Sequence, residues 1–281
     1  MLDGLDEVPW GELECAYGPA TKIPQMLRGL AAGDPEVLDA MVVAEYGLVY
    51  CAGVYSATAA AVPFLVELAG VPQVPGRGLI LFEVVSAVVC EGEAIRRPHG
   101  VRRRVDSLVD PLLALLDDDD RDVRAMAATA LGHCDPPAVR AGGVLEAHRR
   151  TEPDPTVRAT LIAGAAACDP TSTRDWVQDA YRDPAPNARA AAVYATAVNA
   201  LLWTPLTTQT LLSCWDDGDP LPASWQWQWD LHWWLDSALG RLARDDRGEI
   251  LTALAGSPVP GARQAAVDHL LTERHLEKAP G

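Results

Sequence analysis

Two glutamates are the residues of this chain best suited to acid–base chemistry. Glu83 lies in the almost wholly apolar stretch GLILFEVVSAVV, and Glu45 lies in VVAEYGLVY. A buried carboxylate is costly unless it is paired, and without a partner its pKa rises. A carboxyl group with a raised pKa can act as a general acid or base. Either Glu83 pairs with an arginine or a tyrosine hydroxyl, or Glu45 faces it from a neighbouring helix.

The second arrangement would create a polar pocket between two helices. Three tyrosines lie close enough in sequence to contribute to it: Tyr46, Tyr50 and Tyr55. We therefore treat Glu83 and Glu45 as candidate catalytic residues, and Tyr50 and Tyr55 as candidate binding residues. The pocket hypothesis requires that the two acids are not both solvated on the outer face of the protein.

Another candidate site is the stretch SWQWQWDLHWWLD, residues 224–236, which holds five of the nine tryptophans. On a helix, one side of this stretch forms an ordinary apolar core stripe. The other side carries Trp225, Trp229, His232, Trp233 and Asp236. Tryptophan is enriched at interfaces because it buries a large area and keeps an N–H donor. The stretch is either crowded core or a binding surface, with His232 and Asp236 as further candidate catalytic residues.

Other chemical motifs are missing from the sequence. The histidines have no metal-ligand spacing, and there is no Gly-rich phosphate loop and no nucleophile elbow. The six cysteines contain no CxxC pair, which is typical of reduced, buried thiols. The sequence thus predicts no metal and no cofactor. It leaves enzymatic activity open, with the balance against it.

The charge of the chain limits its partners. The formal net charge is −16, so the protein should repel nucleic acid and anionic membranes. The N-terminus is acidic, unlike a secretory signal, and the longest apolar run is too short to span a bilayer. We therefore predict a cytoplasmic protein. A basic cluster within 96–104 could bind phosphate or an acidic partner, or could simply be a solvated loop.

The elements that position these residues are predicted by an internal repeat. Four segments share a turn, then Val or Ala followed by Arg, then an Ala-rich helix: DDRDVRAMAATALGHC (119–134), EPDPTVRATLIAGAAAC (152–168), RDPAPNARAAAVYATAV (182–198) and GSPVPGARQAAVDHLL (256–271). Turn residues cap each helix start, and small residues allow close packing. Each arginine can reach an aspartate in an adjacent turn. A degenerate unit should fall near residue 226. Upstream, apolar patterns predict further helices over 34–50, over 56–69 with Pro63 inside it, over 79–91 and over 101–116, and we expect no strand.

The pattern resembles HEAT repeats, whose inner helix opens with Asp-x-x-Val-Arg-x-x-Ala-Ala. In addition, PWGELECAYGPATKIPQMLRGL and GVYSATAAAVPFLVELA resemble the N-terminal part of bacterial, largely actinobacterial, HEAT-repeat proteins. Members often carry His-Gln where this chain has Cys51 and Ala52, so no role of that histidine is carried over. The resemblance implies an all-α, right-handed α-solenoid of HEAT-like helical repeats that binds its partners on the concave face.

We expect a single domain over residues 1–281. Residues 1–91 form divergent N-terminal repeats, 92–104 form the basic loop, and 105–281 form more regular repeats. The predicted function is a scaffold that holds a protein partner on the concave face. The alternative is a cofactor-independent enzyme or small-molecule binder of specialised metabolism, with an apolar ligand on the tryptophan face.

Overall fold

The computed structural model describes residues 1–42, 46–50, 53–93, 100–134, 139–199, 201, 203–216, 244–257, 263, 264 and 266. The described residues form thirteen α-helices, three short 3-10 helices and two very small β-hairpins. Sequential helices pack on one another, which confirms the predicted all-α, helical-repeat solenoid class. Of the helices in this part of the chain, none combines the length and apolar character that a membrane span needs.

The chain divides into two compact units, Met1–Asp169 and Pro170–Gly281. The helices of the first unit are α1 (Ile23–Ala32), α2 (Pro35–Val42), α3 (Ser56–Ala69), α4 (Arg77–Glu93), α5 (Val101–Asp106), α6 (Val109–Ala114), α7 (Arg121–Gly132), α8 (Val139–Thr151) and α9 (Pro155–Cys168). Those of the second are α10 (Pro170–Ala180), α11 (Pro186–Val198), α12 (Pro205–Asp216) and α13 (Arg244–Ala255). The prediction of a single domain stays a prediction.

In the first unit, the second helices of three successive repeats are α4, α7 and α9, and they lie side by side. Helix α7 packs between α4 and α9, while α6 packs against α7 and α8 packs against α9. The inward-facing residues are mostly alanine, valine and leucine, and α7 is buried from Ala125 to Leu131. Each repeat therefore consists of a first helix and a second helix, and the second helices form one continuous layer.

Helices α7 and α9 approach closely because glycines face each other. A Cβ added to Gly164 would lie 2.6 Å from the carbonyl oxygen of Ala128, and one added to Gly132 would lie 2.9 Å from Gly164 Cα. Both distances are shorter than real Cβ contacts allow. The alanine-rich pattern thus predicted close packing, and two glycines bring the backbones closer still.

Two hairpins depart from the expectation that the chain contains no strand. Strand β1 (Glu14–Cys15) pairs with β2 (Gly18–Pro19), and β3 (Val49–Tyr50) pairs with β4 (Gly53–Val54), both antiparallel. The apolar pattern of 34–50 predicted a helix; α2 covers Pro35–Val42 of it, but Val49–Tyr50 form strand β3. Gly47 has a φ of +62°, and its carbonyl accepts a hydrogen bond from Ala16 N at 2.9 Å. This left-handed residue favours a turn instead.

The predicted helix over 101–116 is two helices, α5 and α6, followed by a 3-10 turn. Proline at position 111 explains the break, because it has no N–H for the carbonyl of Ser107 four residues earlier. A new helix beginning at Val109 places Pro111 in the first turn, where no N–H is needed. By contrast, the prediction of a helix over 56–69 that includes Pro63 is confirmed.

Candidate binding surface

Each repeat turn is built around the arginine of the repeat motif. The Nη1 atom of that arginine donates hydrogen bonds to carbonyl oxygens five and six residues earlier, in the turn that precedes its own helix. The bonds run from Arg124 to Asp118 and Asp119 (2.9 and 3.1 Å), from Arg158 to Glu152 and Pro153 (3.1 and 2.9 Å), and from Arg189 to Asp183 and Pro184 (3.1 and 3.0 Å). Arg263 makes the bond to the carbonyl six residues earlier, Ser257, at 2.8 Å. The turn carbonyls are thus satisfied from within each repeat.

An acid six residues before the arginine closes the same turn from the other side. Its carboxylate accepts the backbone N–H two residues further on. The pairs are Asp118 with Asp120 N (2.8 Å), Glu152 with Asp154 N (2.9 Å), and Asp183 with Ala185 N (2.9 Å). In two of these turns, the aspartate two residues after that acid caps the helix. Asp120 accepts from Asp122 N and Asp154 accepts from Thr156 N, both at 2.9 Å.

One of these acids, Glu152, also joins two neighbouring repeats. Arg124 forms a bidentate ion pair with Glu152, with Nε to Oε2 at 2.9 Å and Nη2 to Oε1 at 2.8 Å. The hydrogen bonds that Arg124 donates to the Glu152 carboxylate raise the pKa of Arg124. The sequence predicts that each arginine reaches an aspartate in an adjacent turn. For Arg124 the reach to the next turn is confirmed, but the partner is a glutamate and not an aspartate.

The alternating arginines and acids Arg77, Asp118, Arg124 and Glu152 form a ladder of ion pairs between successive turns. Sequence reasoning missed its first member, Arg77 at the start of α4. Its Nη1 and Nη2 atoms pair with Oδ2 and Oδ1 of Asp118 at 2.6 and 2.8 Å, and Nη1 also donates to the carbonyl of Ala69 at 3.2 Å. Burial alone would raise the pKa of Asp118, but the hydrogen bonds from Arg77 and from Asp120 N, together with the positive charges of Arg77 and Arg124, lower that pKa. A Pro-Gly turn before an apolar helix was the available signal, but the Val-Arg motif is missing there.

The open face of α9 carries mostly small side chains. Pro155 and Ala167 are exposed, Arg158 and Ala163 are half-buried, and the other residues of the helix are buried. A partner could therefore approach the backbone of this helix closely. The turns beside it are acidic, and the Asp117 side chain is 79% exposed. The open face of α9 thus carries mostly small apolar side chains, and the turns beside it carry exposed carboxylates.

Glu83 is enclosed, but in a space too small for a substrate. The gap beside it is lined by Met41, Tyr46, Leu48 and Val49 and has no room for a water molecule. Burial raises the pKa of Glu83 to about 7. Within the described ranges, Glu83 has no ion pair and no hydrogen bond, so neither an arginine nor a tyrosine hydroxyl from those ranges pairs with it.

The other predicted pocket residues are only partly placed. Tyr46 lines the gap beside Glu83, and Tyr50 pairs with Gly53 in the β3–β4 hairpin. Tyr55 is the residue before α3, and its backbone N–H donates to Thr58 Oγ1 at 3.0 Å. Glu45 lies outside the described residues, so its position relative to Glu83 stays a prediction.

The tryptophan face also lies outside the described residues. This covers Trp225, Trp229, His232, Trp233 and Asp236, whose roles remain predictions. Of the basic cluster, Arg102, Arg103 and Arg104 lie on α5, whose first N–H groups are held by the carboxylate of Glu91. The rest of the cluster, Arg96, Arg97 and His99, falls outside the described ranges.

A comparison with protein-family models places one repeat in a known class. The HEAT repeat model matches residues 108–134. This range contains α6, the turn at Asp118–Asp120 and α7, so it coincides with one complete helical pair. The chain therefore contains a HEAT repeat, as the motif around Arg124 predicts. A comparison with curated proteins gave no match.

Proposed function

We propose that this protein is a scaffold that holds a protein partner on the face formed by the second helices of its repeats. HEAT-type solenoids make this face concave and commonly use it to bind other proteins. The observation that carries the proposal is the ladder of repeat turns, in which each arginine fixes its own turn and Arg124 also reaches the next one. Such a ladder keeps neighbouring helices at a fixed spacing.

A fixed spacing favours binding for a physical reason. A surface that is already ordered loses little conformational entropy when a partner docks. The open positions of α9 carry small side chains, so they present little steric hindrance to a partner's side chains. We propose Trp225, Trp229 and Trp233 as further anchors for a protein partner, since tryptophan often dominates interface energies.

The charge of the protein narrows the class of partner. The net charge is −16 and the turns expose carboxylates, so a protein surface with basic residues along one edge fits better than nucleic acid or an anionic membrane. On the sequence evidence the protein acts in the cytoplasm. The alternative of an enzyme or an apolar-ligand binder on the tryptophan face gains no support from the described residues.

The test is capture of partners by the tagged full chain from a bacterial lysate, followed by native mass spectrometry of the eluted complex. The key variant is Ala167→Arg, on the open face of α9. The matched control is Ala147→Arg, which adds the same side chain at an exposed position of α8. We expect a stoichiometric protein partner with the unmodified chain and the control, and loss of that partner with Ala167→Arg. Equal capture by both variants would contradict the assigned face, and capture of no stoichiometric protein would contradict the scaffold.

A further inference from the structure

The second unit contains a cavity that the scaffold function does not use. Its volume is about 390 Å³, and it lies among α10, α11, the start of α12, Leu201 and Thr204. Arg174 and Gln178 are exposed and therefore mark the mouth, whereas Tyr181, Thr196 and Thr207 are buried and mark the deep end. Cavities that bind small molecules begin at about this size.

Hydroxyl groups at the deep end form a hydrogen-bonded chain, and the bond from Thr196 to a backbone carbonyl sets its direction. The hydroxyl of Thr196 donates to the carbonyl of Ala192 at 3.0 Å, so it can only accept from Tyr181. The Tyr181 hydroxyl must then accept from Thr207 at 3.2 Å, and Thr207 must accept from Thr204 at 3.0 Å. Each hydroxyl has a single hydrogen, and all four are used inside the protein.

The deep wall therefore offers acceptors and no hydroxyl donors to a ligand. A hydroxyl oxygen has two lone pairs, and within the part of the chain that the structure describes, those of Thr196, Tyr181 and Thr204 are not all used. Burial raises the pKa of Tyr181, so its hydroxyl stays protonated and can donate to Thr196. A ligand group that satisfies this wall must be a hydrogen-bond donor.

The mouth has the opposite chemistry. Arg174 lines the cavity, and among the described residues it has no ion pair and no hydrogen bond. A guanidinium group that is not already paired can bind a carboxylate through two parallel hydrogen bonds. Between the mouth and the deep wall, Val177 and Leu201 supply apolar surface.

We propose that this cavity binds a small organic carboxylate with an apolar middle and a hydroxyl group at its far end. The carboxylate pairs with Arg174, the apolar middle packs on Val177 and Leu201, and the far donor bonds the free lone pairs of Tyr181, Thr196 or Thr204. This site is distinct from the partner-binding face proposed above, and each proposal can fail without the other.

The test uses the full chain and isothermal titration calorimetry. The probes are straight-chain hydroxy acids from butanoate to decanoate with the hydroxyl on the last carbon. Each is compared with its methyl ester, which lacks the charge, and with the plain fatty acid, which lacks the donor. We expect saturable binding of at least one hydroxy acid, and affinity at least about tenfold lower for its ester and for its plain acid.

Two variants distinguish direct binding by Arg174 at the mouth of the cavity from a general effect of the protein's charge. Arg174→Gln should weaken the hydroxy acid by about tenfold and leave the ester unchanged. Arg182→Gln changes the same charge at an exposed position that does not line the cavity, so it should leave all affinities unchanged. The proposal is overturned if no hydroxy acid binds saturably, or if Arg174→Gln binds it as tightly as the unmodified chain.

Discussion

Arg124 and Glu152 form a bidentate ion pair between the turns of two neighbouring repeats, with N–O distances of 2.9 and 2.8 Å. Their side chains are only 15% and 7% exposed. Arg124 also holds two carbonyls of its own turn. One side chain thus fixes the shape of a turn and its distance to the next. Loss of either partner would leave an unpaired charge largely out of water.

Replacing Arg124 by glutamine should lower the free energy of unfolding by about 2–4 kcal/mol, because it breaks a largely buried pair and frees turn carbonyls. The measurement is urea unfolding followed by circular dichroism. Arg28→Gln is the control, since its pair with Asp6 has side chains 51% and 84% exposed and should matter by less than about 1 kcal/mol. Similar losses for the two variants would show that the ladder does not stabilise the repeats.

Gly164→Ala should destabilise the first unit by about 1–3 kcal/mol, because the added methyl group meets the backbone of α7 at Ala128. Gly143→Ala makes the same change on the exposed side of α8, where nothing lies within 4 Å. There alanine should raise stability by up to about 1 kcal/mol through its higher helix propensity. Thermal unfolding of both variants tests the pair, and a shift of the same sign in both would contradict the close approach of α7 and α9.

Glu83→Gln should stabilise the protein at pH 8 and have little effect at pH 4. The pKa of Glu83 is raised from 4.5 to about 7 in the folded chain, so the folded state holds a proton that the unfolded state releases between these values. Stability therefore falls as pH rises through this window, and glutamine removes the loss. The expected difference at pH 8 is on the order of 1–3 kcal/mol. A constant difference across the pH series would rule out the burial of this carboxyl group.

His133→Gln should also stabilise the protein, but at low pH instead of high pH. Burial, with a smaller contribution from the charge of Arg102, lowers the pKa of His133 from 6.5 to about 4. The unfolded chain binds a proton between these values and the folded chain does not, so stability falls as pH drops from about 6.5 to 4. The variant should lack this loss and exceed the unmodified protein by on the order of 1–3 kcal/mol near pH 4. Parallel acid-unfolding profiles would mean that His133 does not titrate as described.

Local patterns predicted the parts of this molecule that depend on neighbours in sequence. The motif around Arg124 predicted both the turn and the pairing with the following turn, because turn, arginine and acid recur at a fixed spacing. Arg77 has an equivalent role without the motif, since its partner Asp118 is 41 residues away. The direction of the Tyr181 hydroxyl chain was equally out of reach, because it depends on threonines from two other helices.

The hairpin at Val49–Val54 shows a different limit. Its apolar residues favour a helix, and the turn at Gly47 depends on contact with Ala16, which is distant in sequence. Long-range contact decided the local structure there. The candidate site on the tryptophan face was found from composition and helical spacing alone, and those signals cannot distinguish crowded core from a binding surface.

The way in which the turns are joined bears on how such a chain can grow. The repeat that contains α7 carries an acid, Asp118, that accepts hydrogen bonds from the preceding arginine, Arg77, and an arginine, Arg124, that donates to the following acid, Glu152. A tandem duplication of such a segment would insert one acceptor and one donor together. Every charge would still find a partner at both new junctions, so copies can be added or lost in evolution without first creating an electrostatic defect.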